Sequence, residues 1–417
     1  MKTEVKTYGC ALNQADSEMI YGLLEKHGLM DAGVVVVNTC TVKAPTENKI
    51  LKELRRLKGE GKKVVVAGCL PAARPSIVGE FPGFSFIGVN VRDVVDAVSA
   101  ASAGKRYVNI SEGKGKSGLP QVRTNPVVAI IPIAEGCLGS CNYCQVRFAR
   151  GKLRSYGVRE IVKQVEFSVK NGAKEVWLTA QDTGAYGRDF GGDLPGLLNA
   201  VADIPLDFKV RVGMMNPNHV VEFLDELLAA YESGRIYKFV HVPVQSGDPK
   251  VLEDMNRKYG VGDFKTIVSK FRSRFNATIS TDVIVGYPTE GGEAFQKTLR
   301  LIGDIEPDVL NISRYWTRPG TQASKLKQLS GSETNRRSRI TAELFNKVGL
   351  ERSKGWIGWE GEALVSEKNE DGTYTARNMW YKPVVVKSRE DLLGRTVKVK
   401  VDSCTYFDLR GRVLQYR

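Results

Sequence analysis

From residue 126 on, short apolar runs alternate with helix-length segments six times, and this alternation restricts the possible folds more than any other feature. The runs fall at 127–134, 175–180, 208–213, 236–244, 277–285 and 308–315, with helices expected near 158–171, 194–203, 217–231, 248–273 and 289–304. Parallel strands need crossover connections, and helices supply them. Six successive units in one sheet predict an open, partial (β/α)6 barrel rather than the closed eight-fold one.

Residues 1–100 follow the same pattern on a smaller scale. Strands are expected at Lys2–Tyr8, Gly33–Val37, Lys63–Ala67 and Phe84–Ile87, and helices at Asn13–His27, Thr46–Leu57 and Val91–Ala100. In the first helix Ala15, Met19, Ile20, Leu23 and Leu24 share one face. The expected fold is an open parallel α/β domain with right-handed crossovers. Residues 101–125, rich in Gly, Ser and Lys, read as an exposed linker. The tail changes period. Gly394 to Val401 alternates polar and apolar, and Gly361–Ser366, Tyr374–Ala376 and Pro383–Val386 are further short β segments. A turn signal at Asn369-Glu370-Asp371-Gly372 separates two of them, so a small all-β barrel is expected. The expected domains are 1–120, 121–354 and 355–417.

No window reaches the ~18 apolar residues that a membrane-spanning helix needs. The start, Met1-Lys2-Thr3-Glu4-Val5-Lys6, has no signal-peptide core. A cytoplasmic protein is expected, in which the seven cysteines serve as ligands, catalysts or core residues rather than disulfides. Net charge is +14, and segments 101–125, 145–160 and 324–354 contribute +4, +4 and +5. Clustered positive charge suits a phosphate-rich partner, and equally a solubility surface.

Cys137, Cys141 and Cys144 form C-x3-C-x2-C in a loop directly after the first barrel strand. Three thiolates can hold three irons of a [4Fe–4S] cluster and leave the fourth open. Structural zinc wants four protein ligands, and the three histidines, His27, His219 and His241, are all distant in sequence. Cys10, Cys40 and Cys69 each follow a predicted strand. Strand C-termini share one sheet edge, so these three can converge on a second three-cysteine site. The plainer reading is three small buried residues. Cys404 stands alone in the β tail and reads as structural.

The other barrel strands end in polar groups: Gln181 and Asp182, Asn216, Gln245, the turn Gly286-Tyr287-Pro288, and Arg318. Any one can be a turn or a cap; together, on the C-terminal face, they predict a pocket for a polar cofactor. His241, in an apolar strand, reads as a satisfied core histidine. Arg257 reads as a carboxylate clamp or a solvated charge at a helix end.

The loop with its three cysteines, and Tyr143 before the last of them, resembles the radical S-adenosylmethionine (SAM) enzymes. The added Cys10/Cys40/Cys69 domain and the tail, similar to a TRAM-type RNA-binding barrel, narrow the resemblance to the methylthiotransferases over nearly the whole chain. Leu178-Thr179-Ala180-Gln181-Asp182-Thr183-Gly184-Ala185-Tyr186-Gly187-Arg188-Asp189, Gly213-Met214-Met215-Asn216-Pro217 and Phe148-Ala149-Arg150-Gly151-Lys152 look like the archaeal and eukaryotic branch that acts on N6-threonylcarbamoyladenosine in tRNA. One departure is Tyr287-Pro288-Thr289-Glu290 where Phe-Pro-Gly-Glu is usual. The end at Val413-Leu414-Gln415-Tyr416-Arg417, without a membrane anchor, suits a soluble archaeal-type form.

The resemblance implies a transferase that inserts sulfur and a methyl group at adenine C2 of position 37, next to the anticodon. Two [4Fe–4S] clusters are implied as cofactors, on Cys137/Cys141/Cys144 and Cys10/Cys40/Cys69, with SAM as source of a 5′-deoxyadenosyl radical and of the methyl group. Tyr143, Gln181, Asp182, Gln245 and Arg257 are the implied SAM contacts. Arg147, Arg150, Asn216 and Arg318 are the expected substrate contacts, joined by Lys152 and Arg154 on loop phosphates and by Trp380 and Tyr381 in the tail. The partner is a tRNA anticodon stem-loop, met by a monomer without a membrane; the chemistry also calls for a reductant and a sulfur donor. The alternatives are the same chemistry on isopentenyladenosine or on a ribosomal-protein aspartate, and a non-catalytic metal-containing RNA-binding protein.

Overall fold

A computed structural model describes every residue except Met1, Glu112, Lys114 and Arg417. The chain divides into two compact units, one of residues 1–124, 130–164 and 179–181, the other of 125–129, 165–178 and 182–417. The cysteine loop after the first barrel strand therefore falls in the same compact unit as residues 1–124.

The first unit is built on a five-stranded sheet in chain order. Its elements are β1 (Glu4–Thr7), α1 (Ala11–Lys26), β2 (Val34–Thr39), α2 (Ala44–Gly59), β3 (Lys63–Gly68), α3 (Cys69–Ala73), α4 (Ile77–Glu80), β4 (Ser85–Ile87), α5 (Val94–Ser102) and β5 (Val108–Asn109). Each neighbouring pair is parallel. The aliphatic run of β2 is buried on both sides, as its composition requires: Val34 and Val36 pack with α1 and α5, and Val35 and Val37 with α2. With strands in chain order and α1 and α2 on opposite faces, successive crossovers have opposite hands. The expectation of uniformly right-handed connections fails here. The expected linker also departs from its reading. Val108–Asn109 adds a fifth strand, because its backbone groups complete the open edge of β4, and Lys116 is 1% exposed.

After β6 (Val128–Pro132), the first unit continues through β7 (Ala134–Glu135), α6 (Val146–Arg150), β8 (Arg154–Ser155) and the start of α7 (Val158–Lys170).

The second unit carries the remaining β/α repeats: β9 (Glu175–Thr179), α8 (Leu194–Ala202), β10 (Lys209–Val212), α9 (Pro217–Val220), α10 (Leu224–Ala230), β11 (Phe239–His241), α11 (Pro249–Asp254), α12 (Val261–Phe275), β12 (Thr278–Val285), α13 (Gly292–Ile305), β13 (Val309–Arg314) and α14 (Gly331–Lys354). β9 and β10 pair in parallel, as do β11, β12 and β13, and a bridge from Val210 to Ile236 joins the two sets. The helix expected over 248–273 is two. Asn256 turns left-handed at φ 57°, and Gly260 with Asp263 restarts the helix. α14 answers to no expected helix. Ser330 caps it by accepting from Glu333 N–H, a start signal hidden in a basic segment. At Tyr287–Glu290 no residue has positive φ, so Thr289 stands without strain where glycine is usual.

The tail forms β14 (Glu360–Lys368), β15 (Tyr374–Arg377), β16 (Pro383–Val386), β17 (Thr396–Cys404) and β18 (Leu409–Tyr416), closed as a barrel in the order β14-β15-β16-β18-β17. It docks on the repeats through buried polar groups. Tyr381 and Tyr237 hydroxyls donate to the two oxygens of fully buried Glu175, at 3.0 and 3.2 Å, and Trp380 Nε1–H donates to Phe275 O at 2.9 Å. Trp380 and Tyr381, expected to face RNA, therefore serve the docking. The exposed aromatics of this barrel are Tyr406, Phe407 and Tyr416.

Candidate functional site

The ends of β1, β2 and β3 lie against one another. Gly9 has φ 108°, and a Cβ built on it would stand 2.6 Å from Cys40 Cβ and 2.8 Å from Cys40 Sγ. Glycine is therefore required for the Cys10 turn to pass Cys40. Asn13, in the first turn of α1, clasps all three ends: its amide donates to Tyr8 O and Thr39 O, both at 2.8 Å, and its Oδ1 lies 3.9 Å from Cys69 Sγ. Thr39 Oγ1 accepts from Leu70 N–H at 3.1 Å, fixing the Cys69 turn. Cys10 is exposed, and Cys40 and Cys69 are buried. Burial pushes the Cys40 thiol up to about 11, with Cys69 and Cys10 adding to it against the Val42 N–H.

The second triad sits in the loop between β7 and α6. Gly136, at φ 73°, passes so close to Lys152 O that a Cβ would fall 1.9 Å from it. A Cβ on Gly139 would lie 3.2 Å from Cys137 Sγ and 3.7 Å from Cys141 Sγ, so both sulfurs face this glycine. Backbone N–H groups point at the sulfurs: Gly139 to Cys137 at 3.2 Å, Val146 to Cys144 at 3.4 Å and, in the first triad, Val42 to Cys40 at 3.4 Å. Such bonds favour the charged thiolate and are the usual surroundings of an iron–sulfur cluster. Among the described residues no three His, Cys, Asp or Glu side chains are placed to hold a single metal ion. A cubane cluster makes a different demand, one thiolate for each of three irons.

Two buried connections join the triads. Thr41 Oγ1 donates to Gln145 Oε1 at 3.1 Å. Arg150, at the end of α6, reaches back with Nε 3.3 Å from Cys69 Sγ and Nη2 2.7 Å from both Asn13 Oδ1 and Asp16 Oδ2. Lys116 completes the set, its Nζ 2.6 Å from Asp16 and 2.5 Å from Glu135. Glu135 also meets Arg154 at 2.9 Å. Burial opposes ionisation of Asp16, yet Arg150 and Lys116 hold its carboxyl below the usual range. Lys116, Arg150, Asp16 and Glu135 balance two against two, which is how buried charge is tolerated. Arg150 was expected on RNA phosphates. Its partners and 7% exposure correct that: a buried guanidinium held by Asn13, Asp16 and Cys69 is turned away from an RNA loop outside. Arg147 and Lys152 are exposed. Asp16, Lys116 and Glu135 escaped the sequence reading; the polar run Asn13-Gln14-Ala15-Asp16-Ser17-Glu18 right after Cys10 was the available signal.

Of the expected SAM contacts, Tyr143 and Gln181 fall in this unit. Tyr143 is half-buried. Gln181 Oε1 is buried without a hydrogen-bond partner, as suits a side chain awaiting a polar ligand.

In the second unit, Asp182 binds within the protein. Its Oδ1 accepts from Gly184 N–H at 3.1 Å and Asn216 N–H at 3.0 Å, and its Oδ2 from Asn216 Nδ2 at 2.6 Å. It ties the ends of β9 and β10 together. Asn216 Oδ1 in turn accepts from Arg257 Nη2, and Arg257 Nε donates to Tyr259 Oη at 2.9 Å. Asn216 and Arg318, expected on substrate, are 8% and 6% exposed. Burial among protein partners makes Asn216 a scaffold residue, because its amide is already committed to Asp182 and Arg257. Gln245 has φ 69°, rare for a side chain with a Cβ. It is held there between Asp282 O and Ile284 N–H. His241 is paired with Asp282, Nε2 lying 3.1 Å from both oxygens, a satisfied histidine as expected.

Three families match parts of the chain: the uncharacterized protein family UPF0004 at residues 2–86, the radical SAM superfamily at 131–302 and the TRAM domain at 357–414. Relatives match from end to end. A probable threonylcarbamoyladenosine tRNA methylthiotransferase of Pyrococcus abyssi is 42% identical over 99% of this chain and 100% of its own. One from Archaeoglobus fulgidus is 43% identical over 99% of each. The threonylcarbamoyladenosine tRNA methylthiotransferase of Danio rerio is 38% identical over 99% of this chain and 78% of its own. Among solved structures, a radical SAM methyltransferase from Kitasatospora setae, with cobalamin and a [4Fe-4S] cluster bound, aligns at TM-score 0.57 and 16% identity over 77% of this chain and 76% of its own. That likeness is one of fold.

Proposed function

Because this chain belongs to the threonylcarbamoyladenosine tRNA methylthiotransferase family, we propose that it installs a methylthio group at C2 of N6-threonylcarbamoyladenosine at position 37, beside the tRNA anticodon. The observation that carries this is the pair of cysteine triads in one compact unit, linked through Arg150 and through Thr41 and Gln145.

The donor set fits two [4Fe–4S] clusters. Cys137, Cys141 and Cys144 hold the first, and Cys10, Cys40 and Cys69 the second, each with a backbone N–H on at least one sulfur. Adenine C2–H is neither acidic nor easily attacked, so side chains alone do not cleave it. When bound, the clusters and SAM supply radical hydrogen abstraction, the sulfur and the methyl group. The chain's own part is placement. Tyr143, Gln181, Gln245 and Arg257 contact SAM, and Asp182 and Asn216 set the strand ends on which those contacts depend. Arg147 and Lys152 hold phosphates of the anticodon loop, and exposed Tyr406 and Phe407 of the TRAM barrel offer faces for unstacked bases. The working organisation is 1–120, 121–354 and 355–417, acting as a cytoplasmic monomer.

Mass spectrometry of tRNA nucleosides from cells with and without the gene tests the reading. The methylthio form of N6-threonylcarbamoyladenosine should vanish on deletion and return on complementation; an unchanged level refutes the substrate. Anaerobically prepared protein should carry about eight irons per chain, four for each cluster.

A further inference from the structure

We propose that Arg150 is a positioning residue that sets the reduction potential of the cluster held by Cys10, Cys40 and Cys69, acting through the Cys69 sulfur. The inference rests on the reading that these three cysteines hold a cluster.

The geometry is specific. Arg150 grows from α6, six residues after Cys144, yet its guanidinium lies among the residues that follow β1 and β3. Its Nη2 serves Asn13 and Asp16, and its Nη1 lies 3.6 Å from Glu135. Its Nε–H points at Cys69 Sγ, 3.3 Å away. A neutral thiol is a weak acceptor, and a buried cationic donor aimed at one makes physical sense when that sulfur carries charge in the working molecule. A thiolate bound to iron does.

Hydrogen bonds and nearby charge at cluster sulfurs tune reduction potential. A reduced cluster is one unit more negative than an oxidised one, so an adjacent cation favours the reduced form and raises the potential. Low exposure strengthens the effect, because water does not screen it. Asp16 works in the opposite sense. It shares the guanidinium and places a negative charge 2.7 Å from Nη2. The sequence thus writes one regulator of the N-terminal cluster into the loop of the other.

The test is a redox titration of full-length, anaerobically reconstituted protein, followed by electron paramagnetic resonance. Cys141→Ala protein identifies the N-terminal cluster's signal. Arg150→Gln should lower that cluster's potential by at least a tenfold change in its oxidised-to-reduced ratio, about 59 mV for one electron, and leave the other cluster's unchanged. Arg150→Lys, which keeps the charge, should recover part of the shift. Asp16→Asn should move the potential the other way, and it decides the matter if Arg150→Gln loses the cluster. An unshifted N-terminal potential in Asp16→Asn, or in an Arg150→Gln protein that keeps both clusters, overturns the inference. Wild-type protein with only about four irons and one signal refutes the two-cluster reading instead.

Discussion

Thr41 donates its hydroxyl to the side-chain carbonyl of Gln145, 3.1 Å away, and each residue directly follows a cysteine, Cys40 and Cys144. The bond is buried, so it fixes one triad against the other better than an exposed bond would. Thr41→Val keeps the shape and removes the hydroxyl, at a cost of about 1 kcal/mol and about 2 °C in Tm. SAM cleavage should persist, while methylthio product formed per 5′-deoxyadenosine released falls severalfold. An unchanged product-to-cleavage ratio in a quantitative chromatographic assay would show that this link does not align the two sites.

The triads have different duties, and single substitutions should separate them. Cys141→Ala should lose SAM cleavage and about half of the iron. Cys40→Ala should lose a similar share of iron and all methylthio product, yet keep SAM cleavage. Iron analysis with product and cleavage assays on the two variants checks this. Cleavage retained in Cys141→Ala would remove the loop from the ligand assignment.

The architecture was legible because it rests on periodicity. The continuous valines of β2 and the alternation of Thr396–Cys404 leave few alternatives, and the cysteines after β1, β2 and β3 took their meaning from strand ends sharing an edge. What escaped was long-range polar pairing. Lys116 sits in a Gly- and Lys-rich stretch that composition marks as solvent-exposed, and only its meeting with Asp16 and Glu135, 100 and 19 residues away, buries it. Arg150 misled for the same reason, since a basic residue in a basic segment looks like every other until its partners are known. α14 was missed because its 24 residues bury few apolar side chains and gave no strong stripe.

Docking of the TRAM barrel should depend on pH through Asp308. Burial opposes its ionisation, but Lys382 at 2.7 Å and Arg352 at 3.4 Å hold the carboxyl below its ordinary 3.8. A depressed carboxyl contributes stability above its unfolded value and loses it as pH falls through the lower folded one. Lys382→Met removes the nearest cation from a buried charge and should cost about 3 kcal/mol at neutral pH. The deficit should shrink toward pH 4, because the folded value rises and the carboxyl, once protonated, no longer needs the cation. Urea denaturation at pH 7 and pH 4 measures both, and a variant as stable as wild type at both would deny the pair its role.

Gln245 gives a trade-off between stability and binding. Its φ of 69° costs a residue with a Cβ about 1 kcal/mol, a cost glycine does not carry. Strain of this kind persists where the surroundings over-determine it, often at ligand sites. Here the backbone is clamped by Asp282 O on one side and Ile284 N–H on the other. Gln245→Gly keeps both backbone bonds, so the folded protein should gain up to about 1 kcal/mol, less the entropy that glycine adds to the unfolded chain. If the side chain contacts SAM, equilibrium binding should weaken about tenfold, the loss of one hydrogen bond to a charged ligand. Calorimetry of SAM binding beside a thermal melt reads both quantities on one preparation. Tighter folding with weaker binding would mark strain kept for the cofactor; unaltered affinity would remove Gln245 from the SAM contacts and leave its backbone geometry as a matter of the β11–β12 connection alone.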